Sequence, residues 1–134
     1  MITENYVSFE VAKLLKEKGF EEETYGNYYL GGKFDGKFEE SSKVNWNKFF
    51  KTPIAAPTQQ MAMKWLRLTH KIYIQALAPV YDMDCAELGV TYNVVITNLA
   101  NQCLAFDTPL EDIEYDSPEE AHEAALKYCL KNLI

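Results

Sequence analysis

Cysteine, histidine and long apolar runs are all scarce in this chain of 134 residues, and each shortage removes a class of protein. The three cysteines, Cys85, Cys103 and Cys129, are odd in number and widely spaced, with no Cys-x-x-Cys pair and only two histidines to help them. Neither a disulfide framework nor a zinc site follows from that pattern, and reduced thiols are expected. No apolar run is long enough for a membrane span, and the start, Met-Ile-Thr-Glu-Asn, lacks the basic and then apolar pattern of a signal peptide. A cytoplasmic protein with no membrane partner is the reading that results. The sequence also lacks Gly-x-Ser-x-Gly, a phosphate loop, His-Glu-x-x-His and a dinucleotide fingerprint, and Gly31-Gly32 reads only as a turn. No motif sets a base beside a thiol. No catalytic residue, metal ligand or cofactor is therefore named, and a binding protein is expected ahead of an enzyme.

Apolar residues make up 48% of the chain and charged ones 25%, the balance of an ordinary folded protein. The length suits one domain, 1–134, able to bury a core without metals or disulfides. The net charge of −7 is unevenly spread. Residues 33–71 hold eight Lys/Arg against Asp35, Glu39 and Glu40, whereas residues 107–134 hold eight acids against Lys127 and Lys131. Such a chain is repelled by phosphate backbones unless its basic middle gathers into a patch, so nucleic acid is not an expected partner. The acids from Asp107 to Glu123 read as a solvated face and a helix start. Residues 107–116 contain no glycine for the sharp turn of a calcium loop.

Along the chain, Ser8 is placed to cap a helix from Phe9 to Lys18, with Val11, Leu14 and Leu15 as its apolar stripe. Gly19 and Phe20 have the form of a Schellman stop. Tyr25–Leu30 and Lys33-Phe34 flank the glycine pair and predict a hairpin. From Asp35 to Ala56 no period is sustained, which leaves either a strand near Phe49 or a functional loop. Pro57 and Thr58 open a second helix running to Thr69. Lys71–Ala78 and Thr91–Leu99 alternate as strands that pair antiparallel. Ser117-Pro118-Glu119-Glu120 starts a last helix reaching Leu133. A further short strand at Ile113–Tyr115 is considered. The expected fold is α+β, a small antiparallel sheet packed by about three helices in the order α-β-β-α-β-β-α.

Three blocks carry a resemblance: Ser8-Phe9-Glu10 with Ala12 to Phe20; Ala56-Pro57-Thr58-Gln59 with Ala62, Lys64 to Arg67 and His70; and Ser117 to Ile134. Together they resemble a family of small uncharacterised proteins encoded in bacterial prophages and other integrated mobile elements. The resemblance implies a cytoplasmic accessory protein. That family has no established activity, so no functional position is carried over. The Asp35–Phe50 and Pro79–Gly89 stretches align with nothing, which makes them the places where a function of this chain's own would lie.

Two groups of residues are candidates for a site. Arg67 and His70, three apart on the helix of Trp65, are near enough to hold an anion together. Read plainly, they are a solvated charge and a helix end. The second group is the aromatic run Tyr25, Tyr28, Tyr29 and Phe34, continued by Trp46, Phe49 and Phe50 among Lys33, Lys37, Lys43, Lys48 and Lys51. From the two groups Tyr28, Tyr29, Lys43, Trp46, Lys48, Arg67 and His70 are taken as candidate binding residues. Rings with cations between them suit a protein partner, and they also suit single-stranded nucleic acid. Equally, the rings fill one side of a sheet while the lysines keep a loop soluble. The leading expectation is a non-catalytic module that binds an unidentified protein through residues 25–51 and an exposed sheet edge. The alternatives are a small-molecule or nucleotide-handling protein, enzymatic or not, with a pocket between the Trp65 helix and the sheet, and a weak single-stranded nucleic-acid binder. A homo-oligomer is left open.

Overall fold

The chain is seen in a computed structural model, which describes residues 4–29, 31–36, 43–78, 91–101 and 104–134. Helix α1 (Phe9–Glu17) begins where the Ser8 hydroxyl accepts from the Val11 amide at 3.2 Å. It buries Val11, Ala12 and Leu15. Its stop is the crossed pair of bonds the sequence suggested: the Phe20 amide donates to the Leu15 carbonyl at 2.9 Å and the Gly19 amide to Lys16 at 3.2 Å. The φ of +89° at Gly19 is a backbone state that a side chain would strain. The reversal drives Phe20 into the interior, where it is fully buried.

Strand β1 (Gly26–Tyr28) pairs antiparallel with β2 (Phe34–Gly36) on one side and β3 (Ile54–Ala56) on the other, so the first sheet has the order β2-β1-β3. Tyr28 lies opposite both Phe34 and Ile54. Gly26 is where the sheet closes tightest, because a Cβ there would lie 2.9 Å from the Ala56 carbonyl oxygen and 2.9 Å from the Tyr6 ring. Between β2 and β3 a single helical turn, α2 (Trp46–Phe49), is capped by Asn45, which accepts from the Lys48 amide at 3.2 Å.

Helix α3 (Gln59–His70) starts at Thr58, whose hydroxyl accepts from the Met61 amide at 3.2 Å, and it buries Ala62, Trp65 and Leu66. Lys71, in the left-handed region at φ 58°, turns the chain directly into β4 (Ile72–Leu77). Strand β5 (Asn93–Asn98) pairs antiparallel with β4, Ile74 opposite Ile96, and β6 (Leu104–Ala105) completes a second sheet of order β4-β5-β6. Tyr115 forms a lone antiparallel bridge with Tyr92 where a short strand was considered. Helix α4 (Pro118–Tyr128) opens with Ser117 accepting from the Glu120 amide, while the Glu120 carboxylate reaches back to the Asp116 amide, each at 3.2 Å. It continues as a π-helical turn, Cys129–Leu133.

Helix α4 is the hinge of the packing, touching α1, α3, β4 and β5. Its Ala121, Ala125 and Leu126 join Leu15, Phe20, Leu66, Ile74, Val94 and Ile96 in one apolar cluster. Small side chains on α4 allow close approach, and burial of the large ones drives the association at roughly 1.5–3 kcal/mol each.

The fold is therefore α+β with small antiparallel sheets packed by helices, as the sequence indicated. In detail it departs from one sheet in the order α-β-β-α-β-β-α. The strands form two sheets, β1 lying between β2 and the unforeseen β3 in one, and β4 and β5 pairing with β6 in the other. Phe49 lies in a helical turn rather than a strand, since Asn45 caps a helix there. The 35–56 stretch thus contains α2 and β3, with residues 37–42 outside those described. The Pro79–Gly89 connection and residues Cys85 and Cys103 also lie outside them.

Candidate interaction site

The structure divides the aromatic and lysine-rich region into rings that pack inward and rings that face out. Tyr28 is half-buried between Phe9, 5.4 Å away centre to centre, and Phe34, at 5.3 Å. Its hydroxyl donates to the Val7 carbonyl. Burial, and then the charge of Glu123, raise its pKa above the usual tyrosine value. Phe34 also leans on Tyr6, at 4.8 Å. Trp46 points from α2 onto the core cluster. Its indole nitrogen is buried with no hydrogen-bond partner among the described residues. Tyr28 and Trp46 are thus packed inward, whereas Phe34, though it leans on Tyr6 and Tyr28, stays partly exposed.

Tyr29 is exposed, its hydroxyl turned to the Asp35 carboxylate at 3.2 Å. Lys43 lies over the half-buried ring of Tyr25, its ammonium 5.2 Å from the ring centre. Lys48 lies in the same way over Phe49, at 5.5 Å. Arg67 and His70 have different surroundings. The His70 ring stands edge-on to Trp65, centres 4.9 Å apart, and its Nε2 is buried without a partner among the described residues. Arg67 is exposed and lines a cleft that His70 does not border.

The most exposed rings of the region are the adjacent pair Phe49 and Phe50, 69% and 46% exposed. They border a shallow hollow of about 390 Å³ with Lys16, Asn47, Lys48 and Lys51. The local chain is tightly held. Asn47 donates to the Phe20 carbonyl at 2.8 Å and accepts from the Ala55 amide at 3.0 Å, bridging the end of α1 to β3. Asn45 donates to the Glu21 carbonyl at 2.8 Å. The Lys16 ammonium reaches the carbonyls of Phe50 and Lys51. Trp46 supports Phe50 from below, ring centres 5.7 Å apart. Two exposed phenyl rings thus stand on a turn whose backbone is clamped by these bonds, with three ammonium groups around them. Among the described residues no carboxylate forms an ion pair with Lys16, Lys48 or Lys51, and the ion pairs present join Glu10 and Glu123 to Lys127 and Lys131.

Phe49 and Phe50 were counted within the aromatic run but were not among the residues singled out from it. The signal that could have separated them is Lys48-Phe49-Phe50-Lys51 itself: adjacent rings bounded by charges fit no apolar periodicity, so they cannot both point into a core. Other chemistry is sparse. Cys129 is buried and its thiol is pushed up to about 12 by desolvation, so it is inert at neutral pH. Among the described residues no group of three His, Cys, Asp or Glu could hold a metal ion, and no helix is long and apolar enough to cross a membrane. Set against protein-family models, curated proteins and solved structures, the chain finds no match in any of the three.

Proposed function

We propose that this protein is a non-catalytic binding module that docks on another protein through Phe49 and Phe50, with Lys16, Lys48 and Lys51 at the rim. The observation that carries the reading is the rigid outward presentation of two adjacent phenyl rings. A single exposed apolar residue is ordinary on any surface. Two adjacent ones held out by Asn45, Asn47 and Lys16 are a preorganised anchor, which loses little further freedom when covered. A central aromatic anchor within a polar rim is the usual anatomy of a protein interface. The matching partner surface has an apolar recess edged by carboxylates. The packed state of Tyr28 and Trp46 weighs against the single-stranded nucleic-acid alternative, because it leaves fewer rings for bases to stack on. Joined to the resemblance with prophage proteins, the reading is of an accessory protein of a mobile element working in a bacterial cytoplasm on a host or phage protein.

The test is a paired capture from host lysate with the wild-type chain and the Phe49→Ala variant, followed by titration of the recovered partner against both purified proteins. Burial of one phenyl ring is worth roughly 1.5–3 kcal/mol, so the variant should bind about tenfold or more weakly at unchanged melting temperature. Capture of the same proteins with the same affinity by both chains would overturn the reading.

A further inference from the structure

Away from the aromatic hollow, a cleft of about 370 Å³ opens between α3, β4 and α4. Helix α3 supplies Gln60, Met63, Lys64 and Arg67, whose spacing of three, four and seven places all four on one helical face. Tyr73 and Ile74 of β4 form the opposite wall, and His122 of α4 closes one side. The volume is within the range of about 300–1,000 Å³ usual for small-molecule sites.

Its chemistry is one-sided. Arg67 is the only arginine in the chain, every other cation being a lysine. A guanidinium offers a planar fork of donors that matches a carboxylate or phosphate edge, which an ammonium cannot reproduce. Lys64 lies one helical turn before it on the same wall. Among the described residues no carboxylate lines the cleft or forms an ion pair with either cation. Lys64 also borders a neighbouring cleft that holds Glu21, Glu22 and Glu23, and on the α4 side the charge of Glu119 acts on His122. In a chain of net charge −7, an arginine and a lysine lining one concave surface that no carboxylate lines are a local reversal of sign. Met63 and Ile74 add an apolar floor beside them.

We propose that this cleft is a binding site for a small organic oxyanion, a molecule whose phosphate or carboxylate group is held by Arg67 and Lys64 and whose apolar body rests on Met63 and Ile74. Gln60, Tyr73 and His122 are the neutral polar or titratable groups that fix its orientation. The site is distinct from the protein-docking hollow and does not depend on it. It also gives a location to the pocket beside the Trp65 helix that the sequence offered as an alternative, and an electrostatic sign to its ligand.

The experiment is a chemical-shift titration of the isotope-labelled protein with phenyl phosphate, with benzoate and with inorganic phosphate. The expected result is a saturable shift confined to residues of α3, β4 and α4 around the cleft, with an aromatic probe binding more tightly than inorganic phosphate. The order of phenyl phosphate and benzoate identifies the preferred head group. Arg67→Gln should weaken binding about tenfold, the loss expected for a charge-assisted hydrogen bond, and Lys64→Gln should weaken it in the same direction. Both side chains are exposed, so the rest of the spectrum should stay in place, and either variant alone suffices as a test. Lys127→Gln, which removes a cation paired with Glu10 elsewhere, should leave the titration unchanged. Shifts that fail to saturate, that spread over all the exposed lysines, or that persist unaltered in both cleft variants would overturn the proposal.

Discussion

The two sheets of this protein are held together by different means. Around β4 and β5, six-residue strands run in continuous register, and alternate side chains, Ile72, Ile74, Val94 and Ile96, are buried against α3 and α4. Around β1, three-residue strands are too short to hold by their ladders, and side chains do much of the joining. Asn47 bridges Phe20 to Ala55, Asn45 reaches Glu21, Lys16 reaches the chain after α2, and Tyr28 reaches Val7. The second region directs most of its apolar side chains inward, Leu68 and Leu77 being exposed exceptions. The first uses polar clamps to hold two phenyl rings outward. The difference separates a part built mainly on apolar burial from a part built on polar clamps, and the protein-docking surface is to be sought in the latter.

Substitutions in each region can break this contrast. The largest effect is expected in the second, where Ile96→Ala opens a cavity under β5 and should cost about 2–5 kcal/mol in a denaturant titration. A smaller loss would mean that the β4–β5 interface is less tightly packed than its burial indicates. In the first region Asn47→Ala leaves the Phe20 carbonyl and the Ala55 amide without their partner and should cost about 1–3 kcal/mol. That variant should also weaken partner binding, although Asn47 is not one of the two ring anchors, because the base under Phe50 loosens. Stability lost with binding intact would separate the clamp from the anchor.

Asn27 sharpens the comparison from the opposite side. It is fully buried in β1, and both polar atoms of its amide lack a partner among the described residues. Burial of unpaired polar groups is unfavourable, so the near-isosteric Asn27→Leu should stabilise the fold by about 1 kcal/mol, read as a higher denaturation midpoint. Destabilisation would show that the amide is satisfied within the first region after all. The smallest effect concerns pH. Burial lowers the His122 pKa from its ordinary 6.5, opposed by Glu119. Above that ordinary value both folded and unfolded states hold the imidazole neutral. As pH falls below it the unfolded chain takes up the proton first, so stability declines until the folded His122 is protonated as well. Melting curves through mildly acidic pH should show this fall, and His122→Gln should flatten it.

The legible parts of the fold were those specified by neighbours in sequence. The Ser8 and Ser117 caps, the helix start at Pro57-Thr58, the Gly19-Phe20 stop and the alternation in β4 and β5 are local chemistry, and each appears in the structure where the sequence placed it. Strand β3 was not legible, because three residues carry no period and Ile54–Ala56 is a strand only through its pairing with β1. Nor was the single turn of α2, whose cap Asn45 has no apolar stripe after it. The site suffered from the same limit. Trp46 and Phe49 belong to one turn, and only the docking of α2 against β3 decides that the first ring goes to the core and the second to solvent. His70 likewise took its position from Trp65, a contact that the spacing of Arg67 and His70 does not encode.

The most direct test of the central claim is site-specific photo-crosslinking in the host cell, with a photoreactive phenylalanine analogue placed at position 49 or, in a parallel strain, at position 113. Ile113 is also exposed, at 42%, but lies among the acids that precede α4. If the first region docks a protein through its outward rings, a discrete higher-mass adduct forms from position 49 and not from position 113. Equal labelling at both positions, or no adduct from position 49, would contradict it.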